Sequence, residues 1–244
     1  MKSLVQRILQ KLLGFNNYLF IFSVFKIYTL KSDKAEKAFF HFIKQAAGKE
    51  GIVLDIGANI GITAVLLSKK FPDRPIYAFE PVPENIKALK RVLRFFKATN
   101  VTVLEIALGN EPGELEMILP VVDNVKKQGL SHIKHDSITE FNEGHTFKVP
   151  VKTLDSLPEL NQALQIAAIK IDVENFEYFV FEGGKELLQR HKPIVFCELW
   201  DNENRYKCFN FLQSLGYTAY TLEGGKMVPL PENQQTENQQ FLFI

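Results

Sequence analysis

The stretch of sequence that decides the fold spans residues 52–70. It opens with a largely apolar run at residues 52–56, which predicts a buried β-strand. The strand leads into a glycine-rich turn, Asp55-Ile56-Gly57-Ala58-Asn59-Ile60-Gly61. Glycine at positions 57 and 61 lets the backbone turn tightly and approach a ligand, and the free amide groups at a helix start attract electronegative ligand atoms. Since residues 60–70 have a helical pattern, we predict a strand, a ligand-binding turn and a helix.

Outward from this stretch, strand-like and helix-like segments alternate. Further strands are predicted at residues 76–79, 101–108, 166–171 and 193–199, and helices at residues 84–97, 176–190 and 205–215. Residues 217–222 and 241–244 complete the sheet, and 114–119 and 147–151 are extra strands around a polar stretch. Such alternation is typical of a mostly parallel sheet with helices on both faces. The predicted fold class is therefore α/β.

Two carboxylates accompany the glycine-rich turn. Asp55 lies within it, and Glu80 follows 25 residues later at the end of the second predicted strand, where an acid can accept hydrogen bonds from ribose hydroxyls. The pattern predicts a nucleoside site. A dinucleotide fingerprint G-x-G-x-x-G needs its second glycine for the pyrophosphate, and Asn59 holds that place here. Because Asp55 repels a pyrophosphate but suits an ammonium group, the residues favour S-adenosylmethionine over NAD.

Further motifs follow in order, and together they cover about residues 51–200. They are Val53-Leu54-Asp55-Ile56-Gly57-Ala58-Asn59-Ile60-Gly61, Tyr77-Ala78-Phe79-Glu80-Pro81, Ala107-Leu108-Gly109, Val151-Lys152-Thr153-Leu154-Asp155-Ser156-Leu157 and Ile169-Lys170-Ile171-Asp172-Val173-Glu174. In order and spacing they resemble the FkbM family of S-adenosylmethionine-dependent methyltransferases. The resemblance implies a Rossmann-like class I methyltransferase fold with seven strands, the last antiparallel. It also implies methylation of a hydroxyl on a sugar, a polyketide or another natural product.

The resemblance assigns roles to individual residues. The methionine end of the cofactor would be held by Asp55, Gly57, Asn59 and Gly61, the ribose by Glu80, and the adenine by the chain around Ile106 and Ala107, with Asp172 as a further cofactor contact. This sequence departs from the family where glycine usually follows the acid that Glu174 matches, because Asn175 stands there. Asparagine tolerates the left-handed conformation, so the turn can be kept.

Acidic residues mark the reacting end of the predicted cleft. Asp172, Glu174 and Glu177 follow the fourth strand and Glu198 ends the fifth, so all are expected at the carboxyl edge of the sheet. Methyl transfer needs a positioned acceptor and a base for its proton. Asp172 and Glu174 are the candidate catalytic bases. The alternative is that one of these acids caps the following helix and another orients the cofactor's amine.

Two other chemistries remain open at this edge. The carboxylates of Asp172 and Glu198 are hard oxygen ligands that suit Mg²⁺. His132, His135 and His145 lie between the extra strands, where an acceptor-binding insert is expected, and His132 is the histidine candidate for the base. The alternative for all three histidines is a solvated loop.

Charge divides the chain into two parts. The total is +1, but residues 1–32 contain Lys2, Arg7, Lys11, Lys26 and Lys31 and no acid. This segment is therefore +5, and the remaining 24 bases and 28 acids give −4. We predict a helical extension at 1–48 and a methyltransferase domain at 49–244, with an acceptor-side insert at 120–148.

The extension begins with a predicted basic amphipathic helix. Its apolar residues are Leu4, Val5, Ile8, Leu9, Leu12 and Leu13. The uncharged run at 12–25 is shorter than a spanning helix needs, and no signal-peptide cleavage pattern follows it. One interpretation is a cap over the core. The other is contact with an anionic membrane or a partner through Phe15, Tyr18, Phe20, Phe22 and Phe25.

Composition narrows the function classes. With 46% hydrophobic and 23% charged residues, a disordered or low-complexity chain is excluded. The −4 body gives no reason to expect nucleic acid as a partner. Cys197 and Cys208 make no disulfide framework, which favours a reducing, cytoplasmic location, either free or peripheral at the inner membrane face. We expect an O-methyltransferase acting on a small molecule or glycan, and the alternative is a nucleoside-binding scaffold or regulatory subunit without catalysis.

Overall fold

The computed structural model describes residues 2–122, 125–126, 131–134, 143–230 and 236–244. The helices in these ranges are α1 (Lys2–Leu13), α2 (Phe15–Thr29), α3 (Lys37–Ala46), α4 (Ile62–Lys70), α5 (Pro83–Phe95), α6 (Pro158–Asn161), α7 (Glu177–Glu182), α8 (Lys185–His191) and α9 (Glu203–Ser214). The strands are β1 (Ile52–Ile56), β2 (Ile76–Phe79), β3 (Val101–Leu104), β4 (Ala107–Leu108), β5 (Gly113–Val122), β6 (Val125–Lys126), β7 (His132–Ile133), β8 (Gly144–Lys152), β9 (Ile166–Ile171), β10 (Ile194–Glu198), β11 (Ala219–Glu223), β12 (Lys226–Pro229) and β13 (Gln240–Phe243).

The main sheet has the order β12-β11-β13-β10-β9-β1-β2-β3. Neighbouring strands from β10 to β3 are parallel, whereas β13 is antiparallel to both β10 and β11. This topology confirms the predicted α/β fold and its antiparallel last strand. The eighth strand, β12, was not predicted. It pairs with β11 across Gly224 and Gly225, whose φ angles of 54° and 81° suit a two-residue hairpin turn.

Helices cover both faces of this sheet, as predicted. Successive side chains of a strand point to opposite faces. On β1, Leu54 and Ile56 pack in the core that includes residues of α7, α8 and α9, whereas Val53 packs in the core that includes residues of α3 and α4. The carboxyl ends of β1, β2, β9 and β10 therefore meet at one edge between the two helical layers.

A second, smaller sheet follows β3. Strands β5 and β8 pair antiparallel from Gly113 opposite Val151 to Pro120 opposite Gly144, and β7 pairs with β5. The two extra strands are confirmed and are longer than predicted. The single strand predicted at 101–108 is wrong in one respect. The chain leaves the main sheet at Glu105 and Ile106, because β4 pairs with β8 instead.

The helix predicted at 176–190 is interrupted at Gly183. A Cβ atom at this position would lie 2.0 Å from the carbonyl oxygen of Gly109, so the close approach requires glycine. A new helix, α8, then starts, with the Asp155 carboxylate accepting hydrogen bonds from the amides of Glu186 and Leu187 at 3.0 and 2.8 Å. Asp155 thus caps the start of α8.

The N-terminal helices pack on the body of the fold. Helix α2 lies against α4 and α5 and buries Leu19 and Ile27. The buried hydroxyl of Ser23 donates to the carbonyl of Ile60 at 3.0 Å and so ties α2 to the glycine-rich turn. Helix α3 packs Phe39 against Phe196 of β10. For α2 and α3, these are the contacts of a helical cap.

The apolar face predicted for a membrane contact needs correction. Of its five aromatic residues, Phe25 is 60% exposed, but Tyr18 is buried and the ring of Phe20 lies under the Arg91 guanidinium at 3.9 Å. In the described part of the chain, no single helix is long and apolar enough to cross a membrane. The pair Val5–Leu13 and Phe15–Ser32, bent by 120°, meets the length and composition criteria only when its two helices are taken together.

Candidate functional site

The glycine-rich turn lies at the carboxyl end of β1. Gly57 has φ 73°, and a Cβ atom there would lie 1.9 Å from the carbonyl oxygen of Asp172. Only glycine fits such an approach between β1 and the end of β9. Gly61, with φ 87°, precedes α4, and a Cβ atom there would contact the side chain of Leu89 at 2.7 Å. The two predicted glycines therefore allow close packing of the turn against the neighbouring elements.

Beneath the turn, Asp55 is completely buried. The Thr63 hydroxyl donates one hydrogen bond to its carboxylate, shared between two oxygens at 2.8 and 3.1 Å, and the Lys170 ammonium lies 3.7 Å away. Burial raises the pKa of Asp55, against the opposing effects of Lys170 and Thr63. In the described structure, Asp55 thus makes its polar contacts with Thr63 and Lys170, and these contacts stabilise the turn.

Lys170 provides a buried positive charge in β9. Its ammonium donates to the carbonyl of Gly57 at 2.9 Å and lies 3.9 Å from the Asp172 carboxylate. Burial alone would lower the pKa of Lys170, but the carboxylates of Asp172 and Asp55 outweigh it and raise the pKa. The lysine therefore stays charged and holds the turn and two acids together.

Glu80 directly follows β2 and is buried beside the turn. Its carboxylate accepts hydrogen bonds from the amides of Asn59 and Val82, at 2.8 and 2.9 Å, and from the side chain of Asn85 at 3.1 Å. Burial nevertheless raises the pKa of Glu80 to about 7. The carboxylate is thus held in a fixed orientation by three donors.

A first cavity opens next to Glu80. Its lining includes the predicted residues Gly57, Asn59, Glu80, Ile106, Ala107, Asp172 and Glu174. Three buried polar atoms on its wall have no hydrogen-bond partner: Asn59 Oδ1, Asn85 Oδ1 and Ser131 Oγ. Buried polar atoms usually have partners, so these three oxygens could accept or share hydrogen bonds with a polar ligand. The apolar side chains of Phe79 and Ile106 complete a wall suited to a planar ring.

The acidic turn after β9 has a strained backbone. Glu174 and Asn175 have φ angles of 54° and 74°, so the expected left-handed conformation at Asn175 is confirmed. The Asn175 side chain accepts a hydrogen bond from Asn202 at 2.9 Å, and its carbonyl accepts one from Asn204 at 3.0 Å. Two successive left-handed residues other than glycine are rare and are characteristic of functional sites.

The acids of this turn differ in their surroundings. Glu177 is buried and accepts a hydrogen bond from the amide of Val173 at 2.9 Å, so it ties the turn after β9 to the first residue of α7. Burial, followed by the negative charges of Asp172 and Glu177, raises the pKa of Glu174. The Asp172 side chain is 38% exposed and faces the open cleft.

A second cavity adjoins the first on the other side of the turn. Gly57, Asn59 and Asp172 line both cavities. The second cavity also receives Lys170 and Glu198 from the sheet edge. The extension contributes its opposite wall, formed by Phe22, Lys26, Leu30, Glu36 and Phe39. This participation of the extension was not predicted.

Glu198 faces this second cavity from the end of β10. Burial, followed by the negative charge of Asp172, raises its pKa to about 7. The predicted magnesium site at Asp172 and Glu198 finds no support, because no group of three potential ligands converges among the described residues. The charge that faces both acids is instead the ammonium of Lys170.

The structure does not bring the predicted histidine base into the cleft. His132 is buried in β7, where its neighbours Ser131 and Ile133 line the first cavity. The alternation of side chains along a strand turns His132 to the other face. His145 is exposed on β8, and His135 lies outside the described residues.

Sequence reasoning missed Lys170, Thr63 and Asn85. Lys170 could have been found from the sequence, since a lysine inside the apolar strand of residues 166–171 needs a buried partner. No sequence feature distinguished Thr63 and Asn85, because a polar residue on a predicted helix is ordinarily solvated.

Comparison with known proteins shows the family. The family model described as Methyltransferase FkbM domain matches residues 55–219, a range that contains every predicted site residue. Methyltransferase 1 of Beauveria bassiana (strain ARSEF 2860) is 26% identical over an alignment of 178 residues, and the match covers 65% of this chain and 72% of that protein. Methyltransferase sdnD of Sordaria araneosa is 29% identical over an alignment of 175 residues, and the match covers 61% of this chain and 66% of that protein.

A solved structure shares the fold. The crystal structure of methyltransferase FkbM from Methylobacillus flagellatus KT superposes with a TM-score of 0.53 at 16% identity. The match covers 80% of this chain and 43% of that one, so this chain corresponds to less than half of the larger protein.

Proposed function

Because this chain belongs to the FkbM methyltransferase family, we propose that it transfers a methyl group from S-adenosylmethionine to a hydroxyl of a sugar, glycan or natural-product acceptor. The observation that carries the proposal is the pair of adjoining cavities that share Gly57, Asn59 and Asp172. One cavity has the features of a nucleoside site. The other is lined by carboxylates and aromatic rings.

The first cavity fits the adenosine part of the cofactor. Glu80 is oriented by three donors and can accept hydrogen bonds from ribose hydroxyls. The chain at Ile106 and Ala107 borders the ring site. The unpartnered oxygens of Asn59, Asn85 and Ser131 provide hydrogen-bond partners for polar atoms of a nucleoside. These features support S-adenosylmethionine as the cofactor.

The residues shared by the two cavities mark the place of methyl transfer. When bound, S-adenosylmethionine supplies a methyl group on a positively charged sulfur. The half-exposed carboxylate of Asp172 can attract the cofactor's ammonium group, and Gly57 leaves room for its close approach. Lys170 keeps Asp172 and the turn in position through its contacts with both.

The second cavity is the proposed acceptor site. Its partly buried Phe22 ring can pack against the apolar face of a sugar ring, while its carboxylates can accept hydrogen bonds from hydroxyls. Glu198 has a pKa of about 7, near the value that suits a general base at neutral pH. We assign to Glu198 the acceptance of the acceptor's proton, with Asp172 and Glu174 as the other acids of the cleft.

A methyl-transfer assay tests this function. Formation of S-adenosylhomocysteine would be followed with the intact protein and a panel of glycosides, oligosaccharides and hydroxylated natural products. We expect turnover with at least one acceptor, and a loss of about 10²–10⁴-fold in kcat for Glu198→Gln. Glu223→Gln, on the exposed end of β11, is the matched control and should keep full activity. Cofactor binding without turnover on any acceptor would favour the non-catalytic scaffold.

A further inference from the structure

The apolar side chains of helix α1 point in the opposite direction from those of a helix that caps a core. Helix α1 packs against α2 and β6, and its Gln6 side chain forms a hydrogen bond with Tyr18 of α2. Its apolar stripe points away from the body of the fold. The stripe consists of Val5, Ile8, Leu9 and Leu12, which are 51%, 49%, 39% and 76% exposed. A cap over the core would bury these side chains.

Helix α2 carries a second exposed apolar stripe. Leu19, Ser23 and Ile27 are buried against the fold, whereas Ile21, Phe25 and Tyr28 are 49%, 60% and 68% exposed. The exposed residues follow one another at intervals of four and three, so they lie on one helical face. Single exposed apolar residues are ordinary on a protein surface, but two such stripes on consecutive helices indicate a binding surface.

The charge of this segment indicates the binding partner. Residues 1–32 contain five basic residues and no acid. Arg7 and Lys11 are exposed and directly precede Ile8 and Leu12, so the basic residues border the apolar stripe of α1. A basic helix with an exposed apolar stripe is typical of helices that lie in the interface of an anionic bilayer.

We propose that α1 and the outer face of α2 bind the surface of an anionic lipid bilayer, with the apolar stripes inserted among the lipids. A second copy of the chain suits this surface poorly. In a two-fold contact, the same +5 segment would face itself without acids to pair with. Phospholipid headgroups supply the negative charge, and acyl chains supply the apolar environment that the stripes lack.

Flotation with vesicles tests the proposal on the full chain. The vesicles would contain phosphatidylcholine alone or phosphatidylcholine with about one third phosphatidylglycerol. We expect the protein to float with the anionic vesicles and to be released by salt. The double variant Ile8→Gln/Leu12→Gln should lower the partition coefficient by about tenfold or more. Arg7→Gln/Lys11→Gln should lower it by about 30-fold on anionic vesicles, at about 1 kcal/mol for each basic residue.

Matched controls test whether flotation depends on this surface or on nonspecific adsorption to vesicles. Leu164→Gln removes a fully exposed leucine from a loop before β9 and should leave flotation unchanged. Lys185→Gln/Lys226→Gln removes two exposed lysines from α8 and β12 and should have the same null effect. Unchanged thermal melting and S-adenosylmethionine binding in all variants would show that the fold is intact.

Three results would overturn the proposal. The first is equally weak flotation of the wild type with both kinds of vesicle. The second is wild-type flotation of both double variants. The third is a dimer, seen by light scattering, that Ile8→Gln/Leu12→Gln dissociates while no vesicle binds, which would assign the stripes to a second copy.

Discussion

Replacing Lys170 by methionine removes the cation on which the cofactor turn depends. The ammonium is buried, lies 3.7 Å from the buried Asp55 carboxylate and donates to the carbonyl of Gly57. Methionine keeps the length of the side chain but leaves Asp55 without its counter-charge. Breaking a buried ion pair from one side costs about 3–5 kcal/mol. At about 2–4 °C per kcal/mol for a chain of this size, the melting temperature should fall by about 6–20 °C.

A surface ion pair provides the control for this prediction. Lys148 and Glu114 are 3.0 Å apart, closer than Lys170 and Asp55, but their side chains are 74% and 59% exposed. An exposed pair contributes about 0–1 kcal/mol, so Lys148→Met should change the melting temperature little. Urea unfolding of both variants gives the comparison.

A double variant tests whether the cost of removing Lys170 comes from the unpaired acid. Replacing Asp55 by asparagine in the Lys170→Met background removes the uncompensated charge, so the double variant should regain part of the lost stability. Two results would contradict the role of the buried cation. The first is that Lys170→Met lowers the unfolding free energy no more than Lys148→Met does. The second is that the double variant is less stable than the sum of the two single changes predicts.

Three further predictions follow from the same edge of the sheet. Asn175→Ala should lower the unfolding free energy by about 1–2 kcal/mol in urea titrations, because alanine disfavours φ 74°. Asn175→Gly should lower it by less, and equal losses in the two variants would contradict a strained backbone at this residue. Glu177 has its pKa raised to about 7 by burial, so its contribution to stability is complete below its unfolded pKa and is lost as the pH rises through about 7. Glu177→Gln should therefore lose less stability than the wild type between about pH 5 and 8 in thermal melts, and parallel curves would refute this. Gly57→Ala would place a Cβ atom 1.9 Å from Asp172, so equilibrium dialysis should show loss of S-adenosylmethionine binding, and unchanged binding would contradict the close approach.

The fold was largely predictable because its signals are local. The apolar runs of β1, β9 and β10 and the turn after β1 follow from composition and spacing in short windows. The break between β3 and β4 was not predictable in this way, since residues 101–108 are uniformly strand-like and the partner of β4 lies in β8, far along the chain. The interruption at Gly183 likewise depends on a distant carbonyl, that of Gly109.

The site was predictable only in part, for a related reason. Glu80 and Asp172 could be assigned to the cleft from their positions at strand ends. The donor Asn85 reaches Glu80 from another element, α5. Lys170 belongs to β9, the strand that Asp172 follows, but its environment depends on the pairing of β9 with β1, where it lies opposite Asp55. Residues of α2 and α3 line the second cavity. This could not be predicted, because the pattern of an amphipathic helix does not specify which part of the fold the helix packs against.

Calorimetric titration with S-adenosylmethionine measures whether the first cavity holds this cofactor. The wild type should bind one equivalent, and NAD should give no saturable heat. Glu80→Gln should weaken binding by about 10–100-fold, the value for a hydrogen bond to a charged group, while Glu84→Gln, an acid in the first turn of α5, should bind as the wild type does. Absence of saturable S-adenosylmethionine binding, or equal affinity of the wild type and Glu80→Gln, would contradict the account.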